Sequence, residues 1–121
     1  MEQVLGIGGV FFKARDPAAL AEWYRRHLGV PVEPGQTHGR IFSGAAGETT
    51  VWSTFPADSD YFGPGPAAFM VNYRVRDLDA MLAQLRAAGA RVEERIGEEP
   101  YGRFGWATDP EGNRFELWEP R

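Results

Sequence analysis

The first half of the sequence is repeated in the second half at an offset of 60 to 61 residues. A module of about sixty residues buries little surface by itself, so two copies must pack together, and paired modules leave a concave cleft for a ligand. The repeat therefore predicts both a two-module fold and a ligand site. The matching residues are Asp16, Ala19, Arg26, Gly29, Val32 and Glu33, which recur as Asp77, Ala80, Arg86, Gly89, Val92 and Glu93.

Composition restricts the class of protein. The 121 residues, 43% apolar and 25% charged, suit one globular domain. A net charge of −4 argues against nucleic acid as a partner, because nucleic-acid binding requires a basic protein surface. No apolar run is long enough to span a membrane and the N-terminus lacks signal-peptide features, so we expect no membrane partner and a cytoplasmic location. The absence of cysteine excludes disulfides and thiolate metal ligands.

Module one is predicted over about 4–56. Residues 4–14 are rich in β-forming residues, and Gly8-Gly9 within them suggests a bulge or a close backbone approach. Asp16 and Pro17 predict a helix start, and apolar spacing continues the helix over 17–28 until Gly29. Three further strands are predicted at 30–33, 40–43 and 49–55.

A Pro- and Gly-rich linker at 57–66 precedes module two, predicted over about 67–121. A strand at 69–75 leads to a helix that Asp77 caps and Gly89 ends. Three more strands are predicted at 91–96, 102–108 and 114–119, and a turn over 109–113 joins the last two. The order β-α-β-β-β occurs twice, which predicts an α+β fold with residues 1–121 forming a single domain.

Three segments together resemble the vicinal oxygen chelate superfamily, which includes glyoxalase I, extradiol dioxygenases, fosfomycin-modifying enzymes and bleomycin-resistance proteins. The resemblance covers nearly the whole chain and implies a glyoxalase-like fold, in which the two tandem modules form an open, cup-like eight-stranded mixed sheet. The segments are VFFKARDPAALAEWYRRHLGV, YRVRDLDAMLAQLRAAGARV and GRFGWATDPEGNRFELWEP.

In that superfamily the metal ligands come from the first and last strands of each module. The corresponding positions here are Gly9, Met70, Glu116 and either Val51 or Trp52, so only Glu116 carries a ligand group. A catalytic transition metal normally takes about three protein ligands. We therefore predict no cofactor and no metal ligands. The alternative is a divalent metal that Glu116 binds together with His38 or a residue of a partner chain.

The predicted ligand-binding residues follow from these positions and from the alternation of side chains along a strand. They line a largely apolar pocket with a few polar groups, and Arg103 joins them from a loop of module two. For the aromatic residues the alternative is ordinary core packing, and for Arg103 it is a solvated side chain. The set consists of Phe11, Lys13, Trp52, Met70, Asn72, Arg74, Arg103 and Trp118.

Glu116 is the predicted catalytic residue, as a general base or as an acceptor for a ligand donor. The alternative is an ion pair with Arg74, Arg114 or Lys13. The leading hypothesis is a homodimeric, small-molecule-binding protein of the glyoxalase and bleomycin-resistance type without a complete metal site. The alternative hypothesis is a divalent-metal-dependent lyase, isomerase or dioxygenase in which Glu116 is metal ligand or general base. Whether the protein is an enzyme stays open.

Overall fold

The computed structural model describes residues 1–33, 35–43 and 49–121, with the backbone alone for 38–43. The elements confirm the predicted α+β class and include both predicted helices. Within these described ranges, no helix has the length and hydropathy that a membrane crossing requires. In chain order the described elements are β1 (Gly6–Ala14), α1 (Pro17–Leu28), β2 (His38–Ser43), β3 (Thr49–Pro56), β4 (Phe69–Arg74), α2 (Leu78–Ala87), β5 (Arg91–Val92), β6 (Gly97–Glu99), β7 (Gly102–Thr108) and β8 (Arg114–Pro120).

The chain divides into two compact units. The N-terminal unit is Gly9–Phe69, and the C-terminal unit is Met70–Arg121 together with Met1–Gly8. Strand β1 therefore contributes residues to both units. The connection at 57–68, which includes the predicted linker, contains turns and bends and belongs to the N-terminal unit.

Helix α1 of the N-terminal unit has the predicted start and end. The Asp16 side chain accepts a 3.0 Å hydrogen bond from the backbone N–H of Ala19, and Gly29 ends the helix with φ 69°. The helix packs on a parallel pair, β1 with β3, and β2 lies antiparallel on the other side of β3. Ala21 and Trp52 are buried in the resulting core.

Helix α2 of the C-terminal unit repeats this design, with Asp77 as its N-cap. The strand order is β4-β8-β7-β5, in which β4 and β8 are parallel and β6 also pairs with β7. Leu82 and Leu117 lie in the core between α2 and the strands. In the turn between β7 and β8, the Asp109 carboxylate accepts the backbone N–H groups of Glu111 and Asn113, as the predicted turn requires.

Two predicted strands differ from the structure. Residues 30–33 do not form a strand, because Val32 is buried beneath α1 and its N–H bonds locally to the Val30 carbonyl. The predicted strand at 91–96 is only Arg91–Val92, and pairing with β7 resumes at Gly97.

Candidate functional site

Glu116 is a buried carboxylate at the centre of the C-terminal unit. Its exposed fraction is 2%, and its oxygens accept hydrogen bonds from Asn72 Nδ2 at 2.6 Å and Trp106 Nε1 at 2.9 Å. Strand register creates this arrangement, since Glu116 on β8 pairs with Asn72 on β4 and with Trp106 on β7. Both donors are N–H groups, which stabilise a buried carboxylate.

The side chains around Glu116 lie on the face of the strands opposite α2, which we name the Glu116 face. Tyr73, Phe115 and Leu117 pack toward α2, so their strand neighbours point away from the helix. The structure thus brings together five of the nine predicted site residues. The Glu116 face consists of Met70, Asn72 and Arg74 of β4, Phe104 and Trp106 of β7, and Arg114, Glu116 and Trp118 of β8.

Asn72 is 2% exposed, and its orientation is defined by its two neighbours. Nδ2 bonds to Glu116, and Oδ1 has no hydrogen-bond partner among the described residues. A Cβ atom built on Gly8 would lie 2.2 Å from Oδ1, so glycine is required there. The close backbone approach predicted for Gly8-Gly9 is present at Gly8.

Trp118 forms an aromatic pair with Phe104 beside Glu116. Their ring planes differ by 3° and their centroids lie 6.0 Å apart. The Trp118 indole N–H donates to the Tyr101 carbonyl at 3.2 Å, while Gly102 leaves the space that the indole occupies. The Trp118 ring is consequently held in one place on the Glu116 face.

Two arginines of the Glu116 face make hydrogen bonds to other residues of the same unit. Arg114 bonds to both Glu93 carboxylate oxygens, at 2.7 and 3.0 Å, and holds the pKa of Glu93 below its ordinary value. Arg74 is 8% exposed and donates to the Ile7 carbonyl at 2.7 Å.

Arg103 does not join the others. It lies on the α2 side of β7, where it bonds to both carboxylate oxygens of Asp79 and to Glu98. These hydrogen bonds raise the pKa of the Arg103 guanidinium and lower the pKa of Asp79. The contacts bind Arg103 to α2 and β6, so its ligand-binding role is a prediction without support from its position.

The remaining predicted residues lie in the N-terminal unit. Phe11 is 8% exposed and contacts Phe55, and the Lys13 ammonium lies 5.4 Å from the Phe62 ring centroid. Trp52 packs beneath α1 against Tyr24, with ring centroids 4.9 Å apart, and is part of the core of the N-terminal unit, so its ligand-binding role stays a prediction. The core alternative for this aromatic residue is the one that the structure supports.

The strand register places the two alternatives for the last metal-ligand position of module one on opposite sides of the strands. Val51 pairs with Gly9, while Trp52 pairs with Val10 on the opposite side of the strands. Of the two alternatives, Val51 lies on the same side of the strands as Gly9, and its side chain offers no donor atom to a metal.

The donor set of the described residues does not fit a catalytic divalent metal. No group of three or more His, Asp or Glu side chains able to hold a metal ion occurs among them. Next to Glu116, the Asn72 amide and the Trp106 indole direct N–H groups, which cannot coordinate a cation, to the carboxylate; Asn72 Oδ1 and Glu116 together are two oxygen-bearing groups, fewer than the about three that a catalytic metal takes. The side chain of His38 lies outside the described residues.

The sequence analysis did not predict Trp106 as a neighbour of Glu116, although the sequence contains a pattern that indicates it. The predicted turn at 109–113 sets the β7–β8 register, and continuing that register places Trp106 opposite Glu116. Arg95 was also missed. Its guanidinium Cζ lies 4.4 Å from the centroid of the Trp106 ring, and no local sequence pattern predicts this contact.

Solved structures define the class of this fold. Methylmalonyl-CoA epimerase from Mycobacterium tuberculosis is 26% identical, with a TM-score of 0.65, over 98% of this chain and 89% of its own. A variant of the Streptomyces coelicolor methylmalonyl-CoA epimerase, in complex with 2-nitronate-propionyl-CoA, is 19% identical, with a TM-score of 0.74, over 98% of this chain and 99% of its own. A glyoxalase/bleomycin resistance protein/dioxygenase superfamily member from Vibrio splendidus 12B01 is 12% identical, with a TM-score of 0.59, over 98% of this chain and 99% of its own. The fold is that of this superfamily, as the resemblance implied.

The family assignment follows from the sequence match. Residues 9–118 match the family described as a glyoxalase-like domain. The chain belongs to that family. No curated protein matches the chain.

Proposed function

We propose that this chain is a small-molecule-binding protein of the glyoxalase and bleomycin-resistance type, and that it binds its ligand without a metal. The observation that carries the proposal is the Asn72–Glu116–Trp106 arrangement, in which N–H donors hold both carboxylate oxygens. A carboxylate held in this way is a fixed acceptor for a ligand donor. The neighbouring aromatic and apolar side chains suit a small-molecule site with a few orienting polar groups.

The proposal is tested with purified protein dialysed against Zn²⁺, Mn²⁺, Ni²⁺ and Fe²⁺ in turn, followed by elemental analysis. A thermal-shift panel containing bleomycin, methylmalonyl-CoA, and simple amines and acids then screens for ligands. We expect no stoichiometric metal and at least one ligand that raises the unfolding temperature. Near-stoichiometric metal, or a panel without any binder, contradicts the proposal.

Replacing Glu116 by Gln is the corresponding mutation. Asn72 and Trp106 donate to different oxygens of Glu116, and the substituted amide replaces one of these oxygens with an NH2 group, so one N–H donor then faces another donor and we expect about tenfold weaker ligand binding. Glu111→Gln, in the exposed turn before β8, makes the same chemical change and should leave affinity unchanged. Equal affinities for the two variants would remove Glu116 from the site.

A second candidate is an isomerase in which Glu116 acts as general base, with or without a divalent metal. It is favoured by the 26% identity to the M. tuberculosis methylmalonyl-CoA epimerase. Glu116 would remove the proton next to a carbonyl and a proton would return to the opposite side. Incubation with methylmalonyl-CoA in D₂O tests this, since turnover introduces deuterium at the carbon that bears the methyl group. Incorporation that Glu116→Gln abolishes would establish the enzyme; no incorporation leaves the binding protein.

The homodimer is likewise a proposal. Solved relatives bind ligands such as 2-nitronate-propionyl-CoA and methylmalonyl-CoA, and a site of that size is more readily enclosed by two chains. Light scattering coupled to size-exclusion chromatography should give twice the 13.5 kDa chain mass. A monomeric mass at all concentrations would contradict it.

A further inference from the structure

Arg95 lies over the ring of Trp106 and makes no direct ion pair with a carboxylate of the described residues. It is exposed in the connection between β5 and β6, and its guanidinium lies over the Trp106 ring at 4.4 Å. Trp106 is itself fixed, because its N–H bonds to Glu116 and Gly97 packs against the ring edge, where a Cβ would lie 3.0 Å from the indole. A cation held on a fixed ring face is ordered before any ligand arrives.

Among the described residues, the charge of Arg95 is not neutralised by an ion pair, whereas the charges of Arg103 and Arg114 are. Arg103 is paired with Asp79 and Glu98, and Arg114 is paired with Glu93. Among the described residues, Arg95 makes no ion pair within hydrogen-bonding distance; it lies over the Trp106 ring, and its charge contributes, after that of Arg114, to lowering the pKa of Glu93. The nearby Glu93 carboxylate is already occupied by two hydrogen bonds from Arg114.

We propose that Arg95 binds an anionic group, a carboxylate or a phosphate, of the ligand that occupies the Glu116 face. The N–H donors of a guanidinium lie in its plane, so contact of its flat side with an indole leaves them available for a two-pronged hydrogen bond to an oxyanion. Trp106 touches Arg95 on its ring face and Glu116 through its N–H. The ligand class is therefore a small molecule that carries an oxyanion and, close to it, a hydrogen-bond donor for Glu116. This inference rests on the proposed function for the location of the ligand.

The test is titration of the ¹⁵N-labelled protein with malonate, with inorganic phosphate and, at matched ionic strength, with chloride. The readout is the arginine Nε–Hε and tryptophan indole resonances, and Arg95→Met identifies the Arg95 signal. We expect saturable shifts of the Arg95 signal and of one indole signal with malonate or phosphate, and none with chloride. The anion that saturates at lower concentration identifies the carboxylate or the phosphate as the preferred group.

Arg95→Met should weaken anion binding at least tenfold, because a charge-assisted pair of hydrogen bonds is lost. Arg91→Met, which removes an exposed arginine of β5, is the matched control and should change the affinity less than twofold. Equal binding by the Arg95→Met variant, or no saturable shift with either anion at tens of millimolar, overturns the role of Arg95. The proposed function fails separately, when the wild-type protein binds nothing in the thermal-shift panel.

Discussion

Replacing Asn72 by Asp tests whether the amide holds an ionised Glu116. The substitution keeps the shape but exchanges the N–H donor, 2.6 Å from a Glu116 oxygen, for a carboxylate oxygen. Two charges at that separation repel by about 6 kcal/mol at an effective dielectric constant of about 20. The carboxyl pair of residues 72 and 116 can avoid this repulsion by taking up one proton, which limits the loss of stability. Protonating an ordinary carboxyl of pKa about 4 costs about 1.4 kcal/mol for each pH unit above that pKa. The expected destabilisation is about 4 kcal/mol at pH 7 and about 1.4 kcal/mol at pH 5.

The sign of the pH dependence follows from proton counting. Above about pH 4 the folded variant holds one proton more than the unfolded chain, so its stability relative to wild type falls as pH rises. Urea unfolding of both proteins at pH 5 and pH 7, followed by circular dichroism, measures this difference.

Asn113→Asp is the matched control for this experiment. Asn113 Nδ2 also donates to a carboxylate, Asp109 Oδ2 at 2.9 Å, but in an exposed turn where water screens the new charge. We expect a much smaller and nearly pH-independent change. An Asn72→Asp variant with wild-type stability at pH 7, or with the same loss at both pH values, would refute an ionised Glu116 held by the amide.

Two further predictions concern the same unit. Gly8→Ala should lower the free energy of unfolding by about 1–3 kcal/mol, because the new methyl group collides with Asn72 Oδ1. Denaturant unfolding measures this loss, and an unchanged stability would contradict the close approach. The Arg114–Glu93 pair should contribute less than about 1 kcal/mol, since the Glu93 side chain is 38% exposed. Because Arg114 lowers the pKa of Glu93, this contribution is present above about pH 4.5 and is lost as pH falls through the lowered value. The stability gap between wild type and Arg114→Met should therefore narrow in acid, and a gap that widens there would contradict the assignment.

Much of the candidate site could be predicted because strand alternation is a local property. Met70, Asn72 and Arg74 share a face whatever their partners are, and so do Glu116 and Trp118. The hydrogen bonds could not be predicted, because they depend on which strands become neighbours. Parallel pairing of β4 with β8 brings Asn72 to Glu116 across 44 positions of sequence.

Trp52 shows how one residue of register decides a role. If β3 paired with β1 one residue out of register, Trp52 would lie on the side of the strands opposite α1; the pairing of Val51 with Gly9 instead places Trp52 beneath α1. A shift of one residue moves every side chain of a strand to the other face, and here the turns and the partner strands must be known before the register can be assigned.

By itself the sequence determined the two-module order, both helices with their aspartate caps, and the isolation of Glu116 among the ligand positions of its family. Capping, helical periodicity and turn chemistry act over a few residues, so they can be read directly. Only the tertiary structure decided that residues 30–33 form no strand, that Trp106 completes the hold on Glu116 and that Arg95 covers Trp106. These features depend on long-range packing, in which burial and strand pairing outweigh the local preferences of the chain.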